Sequence, residues 1–312
     1  MTLGKLLVQY LDYLEIEKNR SKKTRENYGR YLNRFLGWLA DDIGKPIDKL
    51  SPSHIDNETI RHYRLWLNRQ ENQKGDNIKK STQAYHIIAL RNFLKYLAKR
   101  DIEVISPEKI ELPKIPTREI DLINQDDLER LLSGPDLTSL RGLRDKAILE
   151  TLFSTGLRVS ELCKLDRDSI DFKRGEFAVT GKGNKTRVVF LSDRARKAVS
   201  DYLEKRQDTE ETLLVRIPKS SKIQVLGRLT SRSVERIIKH YALKAGIIKK
   251  VVPHTLRHVF ATDLLQGGAD LRSVQALLGH SSITTTQIYT HLTDKELHEV
   301  HRAFHGKRLK KK

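Results

Sequence analysis

The chain has 312 residues, with 59 Lys and Arg against 40 Asp and Glu, and a formal charge of +19 at pH 7. That length allows two domains that each bury a core, and 32% charged with 38% hydrophobic residues excludes a disordered or membranous chain. Its one cysteine, Cys163, excludes an intrachain disulfide and a multi-cysteine zinc site, which favours a reducing compartment, and the basic excess points to an acidic polymer as partner.

The first residues contain an apolar run that Lys5, Gln9, Asp12 and Glu15 interrupt, with no small-residue cleavage site, so they predict a helix and not a signal peptide. Leu3, Leu6, Leu7, Tyr10, Leu11 and Leu14 fall at helical spacing. A second helix is predicted after Ser21, with Tyr28, Tyr31, Leu32, Phe35, Leu36 and Leu39 on one side. A third follows Asp56 or Asn57 with Ile60, Tyr63, Trp66 and Leu67, and a fourth starts near Ser81 with Tyr85, Ile88, Phe93, Leu94 and Leu97. Gly75, Asp76 and Asn77 mark the stretch 70–80 as an exposed loop. Residues 1–100 therefore form a four-helix module. Residues 101–120 lose all periodicity and hold Pro107, Pro113 and Pro116, which predicts an interdomain linker.

An α-rich second domain, residues 121–312, follows. Asn124 is placed to cap a helix to about Leu132, and Leu140–Ser154 predicts another that Gly156 ends. Residues 176–191 break the helical pattern, with β-favouring residues on both sides of Gly181, Gly183 and Asn184, and predict a β-hairpin. Helical patterns resume over 193–205, 231–245, 254–265, 271–278, 284–292 and 294–305, before a basic tail at 307–312. No stretch of 18 apolar residues occurs, so no spanning helix is expected and the protein is placed in the cytoplasm, without membrane contact.

Two motifs invite a chemistry that their details refuse. The hairpin tip, Gly181 to Thr186, lacks the glycine spacing and the following helix of a phosphate loop. His254 and His258 stand four apart as in a zinc peptidase, but Thr255 occupies the position of the required glutamate base. What remains on that predicted helix is His254 followed by Arg257, one turn along and able to address the same anion. Taken singly, Arg158 has Glu161 at i+3 as an ordinary ion-pair partner, His280 after Gly279 suits a helix end, and Tyr289 could fill a helix face.

The ordered series Arg158, Lys182, His254, Arg257, His280 and Tyr289 is more specific than any member. The segments STGLRVSEL (154–162), VTGKGNKTRVVFL (179–191) and PHTLRHVFATDLLQGGADLRSVQALLGHSSITTTQIYTHL (253–292) resemble the tyrosine recombinases, the phage integrase family, in particular the Xer type that resolves chromosome dimers. The resemblance extends over nearly the whole chain. It implies a mainly α fold with a small β-hairpin, laid out as a two-domain C-shaped DNA clamp: an N-terminal SAM-like core-binding domain and a C-terminal catalytic domain.

By the same resemblance Arg158 and Arg257 clamp phosphate, Lys182 is the hairpin lysine, His254 and His280 are the active-site histidines, Tyr289 is the nucleophile and Glu161 is the accessory acid. The implied reaction cuts and rejoins DNA through a 3′-phosphotyrosyl link and a Holliday junction, with neither ATP nor metal. The implied partners are a double-stranded core site, a homo- or hetero-tetramer on two such sites, and a septal DNA translocase. The helix predicted over 294–305, with Leu297, Val300 and Phe304 on one side, is implied to pack on a neighbouring protomer. A mobile-element integrase or a type IB topoisomerase-like enzyme shares this chemistry, and a non-enzymatic DNA-binding protein needs only the charge. Against an integrase stands the first helix, which begins almost at Met1 and leaves no room for an arm-binding domain.

Overall fold

The computed structural model describes residues 1–71, 75–113, 122–181, 186–218 and 227–279, together with Ser282 and Thr286. The chain divides into two compact units, Met1–Arg118 and Glu119–Lys312. Helices dominate both, and the one sheet among the described residues is a two-stranded hairpin.

The first unit is built on α1 (Leu3–Ile16), α2 (Lys22–Ile43), α3 (Asn57–Arg69) and α4 (Lys80–Lys99). Their starts follow local cap chemistry: the Ser21 hydroxyl accepts the Thr24 N–H at 3.4 Å, and Asp56 Oδ1 accepts the Thr59 N–H at 2.8 Å. Apolar residues at helical spacing meet inside, with Leu3, Leu6, Leu7 and Tyr10 of α1 packed among Phe35, Tyr63, Phe93 and Leu97. One polar pair lies within this core, the Tyr63 hydroxyl 3.0 Å from His86 Nδ1. Burial first, then Arg34 and Arg30, lowers the His86 pKa to about 4 and keeps its ring neutral at pH 7.

Beyond α4 the chain does not leave the first unit at once. Ile102, Val104 and Ile105 pack on its core, Pro107 starts a 3₁₀ turn (Pro107–Lys109), and Ile110 is buried. The prolines forbid a helix here, yet the apolar side chains between them still bury, and Arg91 Nε holds the Pro107 carbonyl at 3.0 Å. Of the segment assigned as linker, 114–120 lies outside the described residues.

The second unit opens with α5 (Gln125–Ser133), whose cap Asn124 accepts the Asp127 N–H at 2.7 Å. Helix α6 (Leu140–Thr155) follows and runs through the core, buried on most sides. A short helix, α7 (Val159–Leu162), precedes the hairpin of β1 (Glu176–Thr180) and β2 (Thr186–Phe190), in which Phe177 pairs with Val189 and Val179 with Arg187. Helices α8 (Asp193–Glu204), α9 (Ser231–Lys244), α10 (Pro253–Gln266) and α11 (Leu271–Leu278) complete the described structure. Thr286 is helical and buried. The remainder of the helices predicted over 284–292 and 294–305, and the basic tail, lie outside the described residues. Cys163 is buried in this core, and burial raises its thiol pKa against the opposing pull of Ser231 and Arg228.

Gly156 ends α6 with φ 59°, and a Cβ there would stand 2.4 Å from Phe260 Cδ1 on α10 and 3.1 Å from Leu278 Cδ2 on α11. Glycine is required twice over, by the left-handed backbone and by the close packing of three helices. Gly156→Ala is expected to cost about 1–3 kcal/mol, as overpacking does, and to lower Tm by several degrees in a thermal melt.

Candidate active site

The site gathers where α6, α10 and α11 converge and the hairpin lies against them. The left-handed turn at Gly156 redirects the chain so that Arg158 becomes the N-cap of α7. Its backbone N–H donates to Glu161 Oε2 at 2.9 Å and its Nη1 to Glu161 Oε1 at 2.8 Å. The i, i+3 partnership read from sequence is therefore an ion pair that also caps a helix.

Arg187, which the sequence reading did not single out, faces the same carboxylate from β2. Its Nη1 donates to Glu161 Oε1 at 3.1 Å and its Nη2 to Oε2 at 2.8 Å, while its Nε donates to the Leu277 carbonyl at 3.0 Å. A signal for it exists in the strand TRVVF: the two-residue period puts Arg187 on the same side as Val189, which is buried. A cation pointing inward needs a buried anion, and Glu161 is that anion.

Burial alone would raise the Glu161 pKa, but the hydrogen bonds from Arg187 and from the Arg158 backbone and side chain outweigh it and bring the carboxyl down to about 2. With a folded value below the ordinary 4.5, its stabilising contribution is complete above pH 4.5 and is lost as pH falls from there towards 2. In thermal melts, the Tm gap between the parent protein and Glu161→Gln should hold constant from pH 5 to 8 and narrow below pH 4.5.

Arg257, on α10, is 2% exposed. Its Nη1 donates to the Gly156 carbonyl at 2.6 Å and its Nη2 to the Leu278 carbonyl at 2.7 Å, so one guanidinium ties the C-terminal ends of α6 and α11 together. Helix C-termini carry partial negative charge, which favours a cation there. Arg158 Nη2 reaches the next carbonyl along, Gly279, at 3.4 Å. The two arginines are thus brought to adjacent carbonyls at the end of α11, where Gly279 turns the chain with φ 63°.

His254 opens α10 behind Pro253 and remains exposed, whereas Arg257 is buried, so the helix turn between them separates the two side chains in depth. Partial desolvation, then Arg257 and Arg158, lowers the His254 pKa. The His258 ring lies 5.9 Å from that of His254, and burial, then His254 and Arg257, takes its pKa down to about 4.

Lys182, His280 and Tyr289 lie outside the described residues. Their neighbours in the chain do not. Lys182 follows Gly181, where a Cβ would stand 3.1 Å from Glu161 Oε1 and 3.6 Å from Arg158 Nη1. His280 follows Gly279, where a Cβ would stand 3.0 Å from Arg187 Cδ. Among the described residues no group of three or more His, Cys, Asp and Glu is placed to hold a metal ion, and none of their helices is long and apolar enough to cross a membrane.

Residues 121–296 match the model of the phage integrase family, and residues 7–101 match that of the phage integrase N-terminal SAM-like domain. The chain is 37% identical over 300 residues to tyrosine recombinase XerC of Pelotomaculum thermopropionicum, covering 95% of this chain and 96% of that protein. Tyrosine recombinase XerD of Staphylococcus epidermidis is 36% identical over 309 residues, covering 97% and 99%. The fold is that of the XerH site-specific recombinase bound to palindromic difH substrate in a post-cleavage complex, with a TM-score of 0.69 at 22% identity over 94% of this chain and 83% of XerH. The mainly helical frame, the two family models and relatives of matching length agree: the chain belongs to the phage integrase family, the tyrosine recombinases, enzymes that exchange DNA strands at specific sites.

Proposed function

We propose that this recombinase cuts each strand of a double-stranded core site by attack of the Tyr289 hydroxyl on phosphorus, leaving a 3′-phosphotyrosyl link and a free 5′ hydroxyl. The observation that carries the reading is the delivery of Arg158 and Arg257 to adjacent carbonyls at the end of α11. Guanidinium groups never lose their proton at working pH, and two of them neutralise the charge that builds on the non-bridging oxygens during attack. Glu161 is the accessory acid: it braces Arg158 and does not touch phosphate.

In this reading Lys182 protonates the departing 5′ oxygen, and His280 donates to a non-bridging oxygen as its charge grows. The lowered pKa of His254 supports a neutral imidazole at pH 7, which suits it to accept the tyrosine proton. The ester keeps the energy of the broken bond, so rejoining to a 5′ hydroxyl of a partner duplex requires no ATP. Exchange of one strand pair and then the other passes through a Holliday junction, with four protomers on two sites.

We further propose residues 1–100 as the core-binding domain, 101–120 as the linker and 121–312 as the catalytic domain, working in the cytoplasm on chromosome or plasmid dimers. The Xer names of the relatives support dimer resolution, with a second recombinase and a septal DNA translocase as proposed partners. The test is a nicked duplex carrying the core site, cut in the presence of this protein. The expected product is an SDS-resistant adduct on the 3′ side, with a 5′ end that accepts phosphate from a kinase without prior phosphatase treatment. A 5′-linked adduct, or binding with no adduct on a verified site, overturns the mechanism.

A further inference from the structure

The carboxylate of Glu161 is shared by two arginines, and only one of them, Arg158, has a role in the reaction as proposed. The other, Arg187, is 11% exposed and makes every interaction through a different nitrogen: Nη1 and Nη2 to the two Glu161 oxygens, and Nε to the Leu277 carbonyl. It therefore joins three separate pieces of chain: strand β2, the α7 turn that carries Arg158, and the last turn of α11. Two glycines sit hard against it. A Cβ at Gly279 would lie 3.0–3.2 Å from its Cδ, Nη1 and Nε, and one at Gly181 3.4 Å from its Nη1. Both glycines immediately precede a residue assigned to the chemistry, Lys182 after Gly181 and His280 after Gly279.

A two-stranded hairpin has few other means of fixing its tip. Among the described residues β1 and β2 form a sheet of two strands, whose one further bridge, Glu176 with Asp171, lies at the end away from the tip; Phe190 and Val188 are exposed, so Phe177, Val179 and Val189 are the strand side chains buried in the core. The guanidinium of Arg187 adds three directional bonds at the tip end, where Thr180 pairs with Thr186. A lysine in its place could carry the charge but not the three-way planar geometry.

We infer that Arg187 is a positioning residue of the strand-transfer reaction: by clamping β2 to Glu161 and to the end of α11, it registers the Lys182 hairpin tip against the arginine pair, so that proton delivery to the 5′ oxygen depends on it. This rests on the proposed reading of Lys182 as the general acid. A small misplacement of a reacting group costs on the order of 10²-fold in rate, so a loss of that size is expected from Arg187→Ala even with the nucleophile and both phosphate-binding arginines intact.

The experiment measures single-turnover cleavage by the full-length protein on two substrates, one with the natural bridging oxygen and one with a bridging 5′ sulfur, whose thiolate leaves without a proton. The variants are Arg187→Ala, Arg187→Lys and Lys182→Ala, each with its duplex affinity and Tm. Arg187→Ala should cut the oxygen substrate about 10²-fold more slowly than the parent protein and recover at least about 10-fold of that loss on the sulfur substrate, with Arg187→Lys in between. Loss of folding moves both substrates together, so an equal deficit on oxygen and sulfur overturns the assignment. Recovery of Lys182→Ala beside an unrecovered Arg187→Ala and Arg187→Lys overturns it alone. A Lys182→Ala that sulfur does not restore removes the general-acid reading, and this inference with it.

Discussion

Tyr289→Phe should bind its core site within a few-fold of the parent protein and form no covalent adduct at all. The phenolic oxygen is the atom that becomes bonded to phosphorus in the proposed reaction, and phenylalanine offers no nucleophilic oxygen in its place. Binding should survive because duplex affinity comes from many lysines and arginines that release counterions, and a charge of +19 is not altered by removing one hydroxyl. The measurement is a gel shift at two salt concentrations beside denaturing electrophoresis of labelled DNA. An adduct that persists in Tyr289→Phe would place the covalent bond on another residue and end the proposed mechanism.

The second large effect is expected at Arg257, and there the structure alters what a loss would mean. An exposed phosphate-clamping arginine would lose catalysis alone on substitution. Arg257 is buried and holds the Gly156 and Leu278 carbonyls, so its removal also strips two helix ends of a donor. Each abandoned carbonyl costs about 1–3 kcal/mol. Arg257→Lys keeps the charge yet reaches at most part of that geometry, and is expected to lose about 10²–10³-fold in cleavage, together with several degrees of Tm. Arg158→Ala should lose cleavage to a similar degree with a smaller change in Tm, because its side chain is about a third exposed. Cleavage and core-site affinity falling in equal proportion in Arg158→Ala would show that the arginine binds ground state and transition state alike, against the role proposed here.

How much of this was legible in the sequence depended on range. The cap at Asn124, the helix start after Ser21, the start after Asp56 or Asn57, which the structure resolves to an Asp56 cap, and the helix end at Gly156 were readable because each depends on a few consecutive residues. The Arg158–Glu161 pair was readable for the same reason. Arg187 meets Glu161 across 26 residues, a contact that no local pattern encodes, although the strand alternation does place a cation on the inward side. Helix α7 is four residues long, too short to show a period. Over the described residues 101–113 the chain forms one 3₁₀ turn and no α-helix, but the prolines said nothing about whether Ile102, Val104, Ile105 and Ile110 would be buried. Depth was the other blind spot: one turn of helix put His254 and Arg257 within reach of each other without showing that one is exposed and the other sealed.

The buried, raised-pKa thiol of Cys163 has a practical consequence for watching this enzyme work. Thiolate is the species that maleimides capture, and here it is both scarce and shielded. A fluorophore can therefore be attached at a new surface cysteine without first removing the native one. Val188→Cys, at a half-exposed position of β2 one residue from Arg187, would report on the surroundings of the hairpin during a single turnover in real time.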